Sequence, residues 1–184
     1  MVKPNNLRKV SIARLKQEMQ DTVFLSDDLA ITTIDYLRNP TSEIPVSLDG
    51  FAAMIMMSGS AVLSIDTETY EVRPNMLVFF RPGSIIRTIR CSSDATAYLV
   101  ACSKAFVSDI QVDISASLPI HMRFGRKPCL QVTERDVAEI RQFFQLIKTV
   151  IQSDKERYRK EIIHTLFTAV FYLSLIHISE PTRP

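Results

Sequence analysis

Glycine and cysteine are scarce in this sequence and tryptophan is absent, with four Gly, three Cys and no Trp among 184 residues. So few glycines provide no Gly-rich phosphate-binding loop. The cysteines, Cys91, Cys102 and Cys129, are odd in number and lack Cys-x-x-Cys spacing, which disfavours both a disulfide framework and a zinc site. We therefore expect three reduced thiols, as is usual in cytoplasmic proteins.

A large excess of one charge and a long apolar run are also missing. Lys plus Arg total 22 and Asp plus Glu total 20, so the formal charge of +2 indicates no strong preference for nucleic acid. The charged N-terminus lacks the apolar core of a secretory signal, and the longest apolar run, residues 166–176, is well short of the ~20 residues that span a bilayer. The sequence predicts a soluble, cytoplasmic protein without a membrane partner.

Residues 22–102 carry the pattern of a β-rich domain, because short apolar stretches alternate with turn residues. The turns are marked by pairs such as Pro74-Asn75 and Pro82-Gly83, whose second residues tolerate positive φ. The predicted strands are Thr22–Leu25, Ala30–Tyr36, Phe51–Met57, Ala61–Asp66, Thr69–Val72, Met76–Phe80, Ile85–Cys91 and Ala97–Cys102. Many short strands without helices between them indicate antiparallel pairing in a sandwich or small barrel.

After Thr133 the apolar period becomes helical. Thr133 is a good N-cap, and Ser153 with Glu156 fits a capping box, so we expect two helices that form a hairpin. The less regular segment before them is predicted to hold a short helix, Ala105–Ile110, and a strand, Cys129–Val132. The first long helix carries an apolar stripe, which consists of Val137, Ile140, Phe144, Ile147 and Ile151.

Catalytic chemistry finds little support in the sequence. The histidines, His121, His164 and His177, fall in unrelated contexts, and no Ser or Cys has the setting of a nucleophile elbow. His121, which lies in a loop, is a weak candidate for a ligand role. We therefore expect a binding protein and not an enzyme.

The stretch YEVRPNMLVFFRPGSIIRTI, residues 70–89, reads strand, Pro-Asn turn, apolar strand, Pro-Gly turn and strand. It resembles the cupin barrel that forms the N-terminal sensor of AraC-type transcription regulators. Asn75 takes the place of a glycine in the first turn. Ile86 and Arg87 stand where histidines often occur in metal-binding cupins, so we expect no metal and no other cofactor.

The order of barrel, irregular connection and paired helices extends the resemblance over about residues 24–172. It implies a mainly β fold with C-terminal helices, namely a cupin-like antiparallel β-barrel followed by an α-helical hairpin. In such regulators the barrel binds an effector, the helices form the dimer contact, and a helix-turn-helix domain binds DNA. We expect a segment at 1–21, the sensor barrel and connection at 22–132, and the dimerisation hairpin at 133–172.

Candidate site residues follow from this arrangement. The stripe on the first long helix is the predicted interface of a homodimer, since a lone chain would expose it. An unidentified small-molecule effector would bind in an interior pocket. Arg81, Arg87 and Arg90 could contact an anion, although a solvated surface explains them more simply. The predicted pocket residues are Met54, Met56, Phe80, Arg87 and Tyr98.

The C-terminal string LSLIHISEPTRP, residues 173–184, resembles one translated reading frame of a transposase adapter used in preparing sequencing libraries. We expect these residues to be non-native and assign them no function. The DNA-binding domain of the parent regulator is then expected to be missing from this sequence. A stand-alone small-molecule-binding cupin, or a cupin enzyme such as a sugar isomerase or dioxygenase, remains the alternative.

Overall fold

The computed structural model describes residues 7–18, 22–35, 44–110, 128–153 and 157–179. The strands are β1 (Arg8–Val10), β2 (Val23–Leu25), β3 (Leu29–Asp35), β4 (Val46–Leu48), β5 (Phe51–Ser58), β6 (Ala61–Ile65), β7 (Glu68–Val72), β8 (Met76–Phe80), β9 (Ile85–Cys91), β10 (Thr96–Cys102) and β11 (Cys129–Gln131). The helices are α1 (Ile12–Glu18), α2 (Lys104–Asp109), α3 (Glu134–Gln152) and α4 (Arg159–Ser179).

Within these ranges the strands form two sheets. The five-stranded sheet has the order β1-β4-β9-β6-β7, and the six-stranded sheet has the order β11-β8-β5-β10-β3-β2. The pairings are antiparallel except that β1 runs parallel to β4. No hydrogen-bonded strand pair joins the two sheets among the described residues, so the cupin-like fold is a jelly-roll-like sandwich and not a closed barrel.

One apolar core lies between the sheets. Alternate residues of each strand point inward, as the two-residue period of a strand requires. The pattern is clearest on β6, where Ala61, Leu63 and Ile65 are buried and the two residues between them are partly exposed. Burial of these side chains from both sheets supplies the main force that holds the sandwich together.

The outer face of the six-stranded sheet is covered by helices. Phe106 of α2 and Ile163 of α4 are almost fully buried there, in one cluster with Leu29 and Ile31 of β3. A second cluster joins Val137 of α3 to residues of β5 and β8. The apolar stripe of α3 thereby packs against the chain's own sheet, with three of its residues buried, namely Val137, Ile147 and Ile151.

Two turns depend on particular residues. Asn75 has a φ of 63°, a region in which a glycine or asparagine is favoured, and this matches its predicted place in the β7–β8 turn. Gly50 precedes β5 at a point where a Cβ atom would lie 2.4 Å from the carbonyl oxygen of Cys102. A side chain at position 50 would therefore push β5 away from β10.

The predicted elements compare closely with the structure. All eight predicted strands of the sandwich are present, each within one residue of its predicted ends. Thr133 caps α3 in a capping box with Asp136. The sequence reasoning did not find β1, α1 or β4, which are short and lie near the N-terminal side of the sandwich.

The start and end of the second long helix differ from the prediction. Ser153 does not begin α4; its hydroxyl donates to the Val150 carbonyl oxygen at 2.8 Å and so ends α3. Helix α4 begins at Arg159. Glu156, the predicted partner of Ser153, lies outside the described residues. Helix α4 also continues past Tyr172 to Ser179, beyond the predicted end of the hairpin.

Candidate functional site

The interior of the sandwich holds three of the five predicted pocket residues. Met54 and Met56 lie on β5, and Phe80 lies on β8 beside it; all three side chains point between the sheets and are at most 5% exposed. Strand β5 is hydrogen-bonded to β8 on one side and β10 on the other. The two methionines are therefore at the middle of the inner face of the six-stranded sheet.

The walls around these methionines are almost entirely apolar. Four small residues from β3, β5 and β10 leave the long methionine side chains room in the core: Ala30, Ala52, Ala97 and Ala101. Larger side chains close the opposite wall on the five-stranded sheet, and these are Leu63, Ile65 and Val72. Thr32 is the inward polar residue of β3, and within the described ranges its hydroxyl makes one long hydrogen bond of 3.4 Å, to the Thr33 carbonyl oxygen. The interior is thus apolar and offers few hydrogen bonds to polar groups.

Arg87 and Tyr98 do not join this interior. The side chains of β9 and of its partner β6 alternate between the inner and outer faces of the five-stranded sheet. Arg87 falls on the outer face and is exposed there. Tyr98 faces outward from the six-stranded sheet, and its ring centroid lies 5.4 Å from that of Phe144 on α3. The structure therefore splits the predicted pocket between the interior and two different outer faces.

A polar pair lies at the edge of the interior, on β7. Tyr70 packs its ring against the interior cluster, and its hydroxyl donates to the Glu68 carboxylate. This hydrogen bond is the main cause that raises the pKa of Tyr70 to about 12, with burial as the second cause. The hydroxyl therefore stays protonated at neutral pH. Sequence reasoning missed Tyr70, although its two-residue spacing from Val72 could have placed it on the inner face.

Cys129 of β11 also packs against the interior, and it contributes to the raised pKa of Tyr70. Desolvation raises the pKa of the Cys129 thiol to about 11, so the thiol is neutral and poorly nucleophilic at neutral pH. Among the described residues we find no group of three or more His, Cys, Asp or Glu side chains that could hold a metal ion. His121 lies outside the described residues, and His164 packs edge-on against Phe106.

The stripe predicted as a dimer interface packs on the chain's own sheet. Val137 and Ile140 contact the cluster of β5 and β8, and Phe144 lies against Tyr98. Ile147 and Ile151 are buried among β3, α2 and α4. In this packing Val137, Ile147 and Ile151 are buried, whereas Ile140 and Phe144 are partly exposed, and the role of the stripe as a dimer interface stays a prediction.

A family model described as "AraC-like ligand binding domain" matches residues 42–168. No curated protein sequence matches the chain significantly. None of the described helices combines the length and apolar character needed to cross a membrane.

Several solved structures are similar in fold. Unsaturated fatty acid-bound ToxT from Vibrio cholerae is 13% identical, with a TM-score of 0.47 over 80% of this chain and 54% of ToxT. The AraC-like transcriptional activator CuxR is 14% identical, with a TM-score of 0.42 over 85% of this chain and 54% of CuxR. A putative mannose-6-phosphate isomerase from Ralstonia eutropha is 16% identical, with a TM-score of 0.38 over 45% of this chain and 82% of that chain.

The chain thus spans about half the length of these two regulators. The family match covers most of the sequence and includes the sandwich from β4 onward, α2, α3 and the first half of α4. It agrees with the resemblance that residues 70–89 carry. This chain belongs to the AraC-like ligand-binding domain family.

Proposed function

We propose that this chain is the effector-sensing and dimerisation part of a cytoplasmic AraC-type transcription regulator, and that it acts by binding and not by catalysis. The observation that carries the proposal is the family match across both the sandwich and the helices. DNA would be bound by a separate helix-turn-helix domain of the parent protein. The near-neutral net charge of the chain is consistent with that division of labour.

The effector would bind between the sheets, beside Met54 and Met56. Methionine side chains are unbranched and can repack to admit a ligand. The surrounding walls are apolar, and a polar ligand would lose its hydrogen bonds to water there without replacement. The effector class that fits is therefore a predominantly apolar small molecule.

Strand β10 offers a route from this interior to the helices. Leu99 packs against the interior cluster and is paired in register with Met54. The adjacent Tyr98 points to the other side, onto Phe144 of α3. A ligand that displaces Met54 would press on β10 and thereby change how α3 packs against the sheet. An effector could in this way shift the equilibrium between two arrangements of the hairpin.

Dimerisation would use a part of the hairpin that the chain's own sheet leaves uncovered. Leu146 on α3 and Ile162 on α4 are large apolar side chains that are 47% and 45% exposed. Tyr158 and Tyr172 add exposed aromatic surface to the same hairpin. A symmetric contact through these residues would remove them from water while the buried stripe stays on its sheet.

The test of effector binding uses the methionine methyl groups, labelled with 13C and observed by NMR. Titration with 1-decanol should shift the signals of Met54 and Met56 saturably, whereas glucose should not. Met57 follows on the same strand but faces the helix side, so it serves as an internal control. Equal shifts for all three methionines, or none with decanol, would contradict an apolar interior site.

The test of dimerisation is sedimentation of the full chain at high micromolar concentration. The chain should sediment as a dimer, and Leu146→Asp with Ile162→Asp should make it monomeric without loss of its strand signal in circular dichroism. Ile89→Asp is the matched control, because Ile89 is equally exposed but lies on the five-stranded sheet. A monomeric chain before any substitution would contradict the dimer.

A further inference from the structure

Along one side of the sandwich, where β7 and β11 lie, no strand pairing joins the two sheets among the described residues. Each of these strands is the edge of its own sheet, and the β7–β8 turn holds their ends together, since the Asn75 carbonyl oxygen accepts the Val132 N–H at 2.9 Å. Interior side chains reach the surface here: Tyr70, Met76 and Cys129 pack against the interior cluster yet remain partly exposed. We call this side of the sandwich the seam.

The opposite side of the sandwich is closed by α1. The edge strands on that side are β1 and β2, and α1 lies between them in the chain. Ile12 of α1 is 2% exposed, and Leu15 also packs against the interior. At the seam, none of the helices in the described ranges packs against the interior cluster. In this part of the chain the seam is therefore the side from which a small molecule reaches the interior without displacing a helix.

Glu68 lies at the rim of the seam. The two-residue period of β7 puts it on the same face as Tyr70 and Val72, which is the face toward the interior. Glu68 is the first residue of the strand, so its side chain is exposed, and it accepts the Tyr70 hydroxyl. It forms no ion pair with another described residue, whereas Glu71, on the opposite face, is paired with Arg73 at 3.0 Å. Glu68 thus presents a carboxylate without a cation beside an apolar interior.

The pair formed by Glu68 and Tyr70 offers hydrogen-bond acceptors to a ligand. Tyr70 donates its proton to Glu68, and this hydrogen bond, followed by burial and the negative charges of Glu68 and Asp66, raises the pKa of Tyr70 to about 12. The proton therefore stays in place at neutral pH, while the carboxylate and the phenolic oxygen keep further acceptor sites. An ammonium group donates hydrogen bonds and supplies the missing positive charge, whereas an anionic group would meet a like charge.

The apolar surface begins directly beside this pair. Leu63 of β6 is paired in register with Tyr70 and is 2% exposed, and Met76 packs against the same cluster. An alkyl or aryl body that entered at the seam would bury its surface against these side chains and extend toward Met54 and Met56. A ligand with a cationic head and an apolar body matches both parts of the seam.

We propose that Glu68 and Tyr70 form the head-group subsite of the effector site, and that the effector is an amphiphilic amine. Its ammonium group binds at Glu68, and its apolar body lies between the sheets. This inference rests on the interior effector site proposed above and narrows the class of its ligand.

The experiment measures affinities in the full chain from the 13C-methyl signals of Met54 and Met76. Decylammonium, 1-decanol and decanoate have the same alkyl chain and differ in the head group. Decylammonium should bind about fivefold more tightly than decanol at low ionic strength, and decanoate more weakly than decanol. Glu68→Gln keeps an acceptor for the Tyr70 hydroxyl and should lower the affinity for decylammonium to that for decanol. Glu71→Gln, on the other face of β7, is the matched control and should keep the preference.

A second measurement needs no variant. The preference for decylammonium over decanol should shrink between about 0.02 M and about 0.5 M salt, because salt screens the attraction to Glu68. Saturable decanol binding without a preference for the amine would refute this inference and leave the interior site standing. A preference that survives in Glu68→Gln or at high salt would refute the role of Glu68. Absence of saturable binding by all three ligands would contradict both proposals.

Discussion

The outer faces of the two sheets are built from different side chains. On the six-stranded sheet, Leu29, Ile31 and Ile55 are almost completely buried under α2, α3 and α4. On the five-stranded sheet, Ile89 is 50% exposed and Arg87 extends into solvent. The two sheets share one core between them, and among the described residues a second core is present only on the outer side of the six-stranded sheet.

This difference can be seen in the strand sequences. Strand β5, FAAMIMMS, is apolar at nearly every position because both of its faces are covered. Strand β6, AVLSI, alternates between buried and partly exposed residues, as expected for a strand with one covered face. A continuous apolar strand therefore indicates a helix layer on its far side, even before the helices are placed.

The difference between the two outer faces is tested most strongly by placing one charge on each face. Ile147→Asp should cost about 4 kcal/mol or more in the free energy of unfolding, or prevent folding, because it buries an unpaired carboxylate under the helix layer. Ile89→Asp, on the open face, should change it by less than about 0.5 kcal/mol. Urea denaturation followed by circular dichroism measures both. Similar costs at the two positions would contradict the difference between the faces.

Alkaline pH should weaken the covered face through Cys102. Burial raises the pKa of this thiol from its ordinary value of 9.0 to about 12. Between pH 9 and pH 12 the folded chain therefore keeps a proton on Cys102 that the unfolded chain releases. The contribution of the neutral thiol to the free energy of unfolding is complete below pH 9 and is lost as the pH rises toward 12. The free energy of unfolding then falls by up to about 1.4 kcal/mol per pH unit.

Urea denaturation at pH 8 and pH 10.5 tests this slope. Between these two pH values the free energy of unfolding of the parent chain should fall by about 2 kcal/mol more than that of Cys102→Ala, which lacks the thiol. Each protein is compared with itself at the two pH values, so the cost of the cavity left by the alanine cancels. Equal losses in the two proteins would show that burial of Cys102 does not govern its ionisation.

Much of the sandwich could be predicted because its turns are marked locally. Pro74-Asn75 and Pro82-Gly83 fix where β7, β8 and β9 end and begin, and these bounds agree with the structure. The pairing of β1 with β4 could not be predicted in this way. Both strands are three residues long, and their parallel contact joins segments that are far apart in the chain.

The candidate pocket could be predicted only in part. Strand β10, TAYLVAC, is apolar on both faces, so alternation alone does not tell whether Tyr98 or Leu99 points inward. The structure turns Leu99 to the interior and Tyr98 to α3. The same limit applies to the α3 stripe, since a helix period shows that one face is buried but not which surface covers it.

Loss of the N-cap should weaken the helix layer moderately. The Thr133 hydroxyl accepts the Asp136 N–H at 3.2 Å, and the Asp136 carboxylate accepts the Thr133 N–H at 2.8 Å. Thr133→Ala should therefore lower the free energy of unfolding by about 1 kcal/mol.

Thr165→Ala on α4 is the matched control. Its hydroxyl donates a hydrogen bond to the Glu161 carbonyl oxygen one turn earlier, and alanine has the higher helix propensity. This control should leave stability unchanged or raise it slightly in urea denaturation. An equal loss at both positions would argue against a capping role for Thr133.

The smallest expected effect concerns the ion pair between α2 and α4, at the rim of the helix layer. Lys160 Nζ lies 3.0 Å from Asp109 Oδ2, and the hydrogen bond to Asp109 is the main cause that raises the pKa of Lys160. The contribution of the pair is therefore complete at neutral pH and declines as the pH rises through the folded-state pKa. Both side chains are more than half exposed, so solvent and salt screen the attraction. Asp109→Asn should leave the urea midpoint at pH 7 and 0.15 M salt unchanged within error, and a double-mutant cycle with Lys160→Met should yield no measurable coupling. A shift as large as that of Thr133→Ala would mean that rim charges, and not the apolar contacts of Phe106 and Ile163, hold α4 on the sheet.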